Sequence, residues 1–233
     1  MKSFLKASLM AVLLAGVVGL AETSAYADAL LPGTTVAGPS IALFFGGALQ
    51  ATATNTFNNG ALAGTARVAV YSGGAGTCAG CLDFYYQFTN TGATGVNDSV
   101  TRTSNFNFLS GLVTTDVFQI SNGALIGAGW QNGTILSLEA DRSADGSTVG
   151  QLFGTAATSL FVPGTTNMAF VIRTNAILFT TGNYAIIDGV AQNNPAFGPV
   201  APAAPIPEPA SMLLLGTGLV GLARAFRNGR KAR

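Results

Sequence analysis

The chain has 233 residues, 48% of them hydrophobic and 9% charged, with a formal net charge of +1 and no histidine. The missing histidine excludes Ser-His-Asp and Cys-His catalysis. Between residues 28 and 205 four bases (Arg67, Arg102, Arg142, Arg173) face eight acids, a net of −4 with no lysine, so no basic surface is offered to nucleic acid or anionic lipid.

Residues 1–27 open with Lys2 and Lys6, continue as an uncharged apolar run over 7–20 and close on Ala25-Tyr26-Ala27. Those are the three parts of a secretory signal peptide. The apolar run has 14 residues, short of the roughly 20 that a stable membrane span needs. Passage through the Sec translocon and cleavage by signal peptidase after Ala27 are expected, so the mature chain starts at Asp28.

Residues 28–195 are read as one domain. Their Thr, Gly, Asn, Val and Phe content and the lack of a long amphipathic helix predict an all-β fold, an antiparallel β-sandwich or jelly roll. The best strand is LDFYYQFTN, 82–90, where Leu82, Phe84, Tyr86 and Phe88 alternate with Asp83, Tyr85, Gln87 and Thr89. A period of two assigns these sets to opposite sheet faces. Weaker strand patterns cover 41–54, 65–72, 99–108, 114–120, 134–140, 167–174 and 183–190. They are separated by Asn-Gly, Asp-Gly and Pro-Gly turns.

Several residue sets carry candidate chemistry. Cys78 and Cys81 are the two cysteines, and in an exported chain they are expected to form a disulfide. A thioredoxin-like role would need a helix N-terminus beside the first cysteine, where an alternating strand follows instead. Asp141, Ser143, Asp145 and Gly146 resemble the opening of a calcium loop, but position twelve is Leu152 rather than a bidentate carboxylate; Asp98 or Glu139 would have to complete a different oxygen cage, and a polar hairpin turn accounts for the same residues.

Asp83, Asp116, Glu139 and Asp188 are the acids from which a glycosidase pair would be drawn, since two carboxylates suffice for that reaction. Tyr71, Tyr85, Tyr86 and Trp130 have the flat rings of a sugar-stacking face, although core packing is their commoner use. The threonine steps at 52–54 and 101–103 lack the sustained repeat of an ice-binding face. The expectation is a non-enzymatic body with no cofactor and no metal, and the alternatives are a carbohydrate- or calcium-dependent binding module and a carboxylate-dependent hydrolase.

Residues 196–209 form a Pro-rich linker, which proline should keep extended and unpaired. An apolar segment over 210–223 follows, then Arg224, Arg227, Arg230, Lys231 and Arg233. Read as one transmembrane helix in 210–233, this places the basic tail in the cytoplasm and the body outside. Pro207-Glu208-Pro209, the apolar segment and the basic tail together resemble the PEP-CTERM sorting signal of Gram-negative bacteria. The resemblance implies that exosortase reads and processes the tail near Pro207, Glu208 and Pro209. It also implies transient anchoring in the inner membrane and then release or transfer to the cell surface. Taken with the acidic, lysine-free body and the absence of a catalytic set, the two signals lead to the expectation of a cell-surface or extracellular-matrix protein associated with extracellular polysaccharide or biofilm.

The stretches LDFYYQFTN, LVTTDVFQI, ADRS and FVIRTNAILFTTGNYAIIDG also resemble a group of PEP-CTERM proteins whose body has no assigned activity. That likeness supplies no catalytic residue to carry over.

Overall fold

In the computed structural model the described residues are 27–200, except 45, 61, 73–77, 79, 93–98, 109–114, 156 and 189. The signal peptide before Ala27, the motif residues Pro207, Glu208 and Pro209, the segment 210–233 and Asp98 lie outside them. Among the described residues no helix is long and apolar enough to cross a membrane.

The strands in chain order are β1 (Asp28–Ala29), β2 (Thr35–Ala37), β3 (Ala48–Asn58), β4 (Ala63–Ser72), β5 (Leu82–Asn90), β6 (Arg102–Phe106), β7 (Thr115–Ile120), β8 (Glu139–Arg142), β9 (Thr148–Leu152), β10 (Thr165–Thr166), β11 (Ala169–Thr174), β12 (Phe179–Asp188) and β13 (Val190–Pro199), with one 3-10 turn at Gly123–Leu125. They make two sheets in which every pairing is antiparallel. The first runs β1-β7-β11-β5-β4-β3, with β10 also on β5, and the second runs β13-β12-β6-β9-β8-β2.

The two sheets share one core, which makes the architecture a two-layer β fold. Leu82, Phe84, Tyr86 and Phe88 of β5 join Val117, Phe170 and Ile172 of the first sheet, and meet Ala140, Val149, Tyr184, Ile186 and Ala196 of the second. Rings interlock across the layer: Phe84 with Phe108 at 5.5 Å and Phe88 with Tyr184 at 5.1 Å between centroids. Leu82, Phe84, Tyr86 and Phe88 thus share one sheet face, as the alternation predicts, and that face is the inner one.

The outward set is covered too. Tyr71, Tyr85, Phe118, Ile120 and Val171 form a second apolar cluster on the outer face of the first sheet, roofed by Ala42, Ile126 and Trp130, with Phe44 packed against it. Gln87 holds that roof with its side-chain amide, donating from Nε2 to the Gln131 carbonyl at 2.8 Å and accepting from the Gln131 N–H at Oε1 at 2.9 Å. Gln119 does the same for two further segments, donating to the Pro39 carbonyl and accepting from the Ser137 N–H. A buried amide that satisfies both its halves positions irregular backbone that would otherwise leave polar groups unpaired.

Three expectations are revised. In the apolar run that opens at Ile41, Ala42 and Phe44 belong to the roof, and β3 starts only at Ala48. In the stretch 134–140 the strand begins only at Glu139, because the preceding residues bridge to other segments instead: the N–H groups of Thr134 and Ile135 donate to the Thr166 carbonyl. The linker expected at 196–209 begins later, since 196–199 pair with β12 as far as Phe179↔Pro199. β13 is an edge strand, where proline's missing donor is tolerated.

Candidate functional site

The structure brings two of the sequence-named acids into one row. Arg173 on β11 lies opposite Asp83 of β5 on one side and Asp116 of β7 on the other. Directly opposed residues of antiparallel strands point to the same face, so all three side chains lie on the outer face of the first sheet. The Arg173 guanidinium bonds Asp83 at 3.2 Å through Nε and at 3.4 Å through Nη2, with both side chains 5% exposed. The same guanidinium stands over the Phe118 ring at 5.1 Å, a cation–π contact.

Burial raises the Asp83 carboxyl above its usual range against the attraction of Arg173, and it raises Asp116 as well, with a further push from Asp28. Asp28 is itself used: its Oδ2 accepts from the Ser40 N–H at 2.6 Å. Two carboxylates on either side of a guanidinium form a strut across three strands. Glu139 lies exposed on β8 and Asp188 half-buried at the end of β12, both in the second sheet. The four acids therefore do not assemble as a set.

At the former calcium-loop candidate, Asp141 pairs with Arg102 at 2.8 Å. A methyl group on Gly150 would overlap both the Arg102 guanidinium and the Asp141 carboxylate, so the glycine makes room for the pair. Asp145 caps the β8–β9 turn, accepting from the Ser143 hydroxyl and from the Ser147 N–H and hydroxyl, and these bonds pull its carboxyl down to about 2. Both carboxylates are engaged in holding a hairpin. Among the described residues no group of three or more His, Cys, Asp or Glu side chains is placed to hold a metal ion.

The four candidate stacking rings are inside. Tyr71, Tyr85 and Trp130 belong to the roofed cluster and Tyr86 to the central core. Tyr71 Oη donates to the Ile126 carbonyl at 2.6 Å and Tyr86 Oη to the Phe197 carbonyl at 2.7 Å. Cys78 and Cys81 are joined as a disulfide with a Cα–Cα distance of 5.3 Å, immediately before β5. Of the threonine steps, Thr103 is buried and bonds Gln151, whereas Thr52, Thr54 and Thr56 stand exposed along β3.

Reading the sequence alone missed Arg173, Gln87, Gln119 and Arg142 as the residues around which the body is organised. Arg142 is buried and donates to the Gly146 carbonyl and the Thr115 hydroxyl. One signal was present: in a chain so poor in charge, an arginine inside an apolar strand pattern such as AFVIRT has to find a buried partner.

Residues 205–231 match the family model of the PEP-CTERM protein-sorting motif. No curated protein and no solved structure matches the chain. The motif implies a membrane-anchored sorting signal, with exosortase as the processing partner. On residues 205–231, the chain is an exported protein that carries the PEP-CTERM protein-sorting motif.

Proposed function

We propose that the body is a non-enzymatic module displayed on the cell surface or in the extracellular matrix, where it associates with extracellular polysaccharide after exosortase has processed the tail. The observation that carries this reading is the sorting motif at 205–231 joined to a lysine-free, weakly acidic body. Support comes from the state of the body's acids. Asp83 is bound by Arg173, Asp141 by Arg102, and Asp145 by its own turn, so these carboxylates hold structure instead of waiting for a substrate.

Fractionation of the native host tests both halves. The wild-type body should co-sediment with extracellular polysaccharide and be released when that polymer is digested, with no new reducing ends produced by the purified protein. The variant Glu208→Ala should accumulate at full length in the inner membrane. Normal processing of Glu208→Ala would remove the role given to Pro207-Glu208-Pro209, and a wild-type body found free in the medium or periplasm would remove the association with polysaccharide.

A further inference from the structure

Each of the two sheets ends in two edge strands, and three of these four edges are blunted. β1 is two residues long and β2 three, while β13 carries Pro195 and Pro199 within its ladder. Short length and proline are the usual means by which an edge is denied to further strands.

The fourth edge, β3, has neither protection. It runs eleven residues, Ala48–Asn58, with no charge and no proline, and among the described residues its one strand partner is β4. Its single irregularity, a register shift between Leu49 and Ala51, lies at the start and leaves 51–58 regular. The inner face of the strand is fixed, since Asn55 Nδ2 donates to the Pro195 carbonyl at 2.8 Å and Ala51 and Ala53 pack against the core. The edge is therefore held in place, and among the described residues no strand pairs with its outward side.

We propose that β3 pairs antiparallel with β3 of a second copy of this chain, about a two-fold axis centred on Thr54. The sequence of the strand is self-complementary in that register. Thr54 meets its own copy, Thr52 meets Thr56, Ala53 meets Asn55 and Ala51 meets Phe57, so threonine faces threonine on the outer side and an alanine faces a larger side chain on the inner side. An isologous contact of this kind needs a patch that matches itself, and β3 itself carries no charge; the neighbouring cation, Arg67 of β4, donates to Thr54 Oγ1 at 3.1 Å and belongs to the strand behind the seam in each copy. A charged foreign strand would find no opposite charge on β3. The register shift at Leu49/Ala51 falls outside the paired segment 51–57.

The test uses the full chain in its host, with Thr54→Cys to place two thiols across the axis and Thr181→Cys, an exposed position of β12, as the comparison. The expected result is a species of twice the chain mass on a non-reducing gel for Thr54→Cys, lost on reduction and absent for Thr181→Cys. Without any cysteine variant, the exported protein should sediment as a concentration-dependent dimer, and the double change Thr52→Lys with Thr56→Lys, which sets lysine against lysine twice, should weaken that association at least tenfold. A monomer at every concentration, an association untouched by the two lysines, or a Thr54→Cys cross-link to a different protein overturns the proposal.

Discussion

Arg173 sits between Asp83, to which it is bonded, and Asp116, its neighbour on the other strand, and this row sets the body's response to acid. The carboxyl of a free Asp titrates near 3.8, and burial lifts Asp83 and Asp116 above that in the folded protein. The folded protein then binds more protons than the unfolded chain between the two values, so these residues favour folding most below the unfolded value and lose that contribution as pH rises through the folded one. Asp145 has the opposite sign, and its contribution disappears as pH falls toward about 2. Asp83→Asn should therefore give a shallower decline of Tm between pH 4 and neutrality. A wild-type slope retained in the variant would contradict the assignment. Tyr85 offers the reverse case: its hydroxyl is buried with no hydrogen-bond partner among the described residues. Tyr85→Phe removes an unsatisfied polar group and should raise stability by about 1 kcal/mol in chemical denaturation.

At the scale of the elements, legibility followed the regularity of the side-chain period. β5 was read correctly over 82–90 because both its sets alternate without a break. β1 and β2 are too short to show any period, and the last four residues of β13, 196–199, were taken for linker because they run into the Pro/Ala-rich stretch that follows. The roof residues Ala42 and Phe44 were read as strand because an apolar run that covers a sheet has the same composition as one that lies within it. The Asp83–Arg173 pair joins residues 90 positions apart, so it depends on which strands become neighbours, a property no local window contains. The disulfide is local by contrast. Closing four residues removes little chain entropy, so Cys78→Ser with Cys81→Ser should cost about 2 kcal/mol and leave the β-sheet circular dichroism unchanged. Global unfolding of that variant at room temperature would show that β5 depends on the bridge for its registry.

For the whole molecule, the arginines have a consequence in the world the sorting motif sends it to. The four cations between residues 28 and 200 are Arg67, Arg102, Arg142 and Arg173, and each lies within a strand, β4, β6, β8 and β11 respectively. Arg142 and Arg173 are buried, and Arg67 and Arg102 are half-buried. A trypsin-like protease must draw an extended segment into its cleft beside a lysine or arginine, and a segment paired inside a sheet is released only by opening that sheet. The folded body thus shows such an enzyme no free cutting site, while Arg224, Arg227, Arg230, Lys231 and Arg233 remain in the tail. Native protein treated with trypsin should leave one large fragment spanning all four arginines, seen by intact mass, and the unfolded chain should be cut at each of them. Placing its few cations as internal struts gives the protein durability among secreted proteases without another disulfide or a larger core.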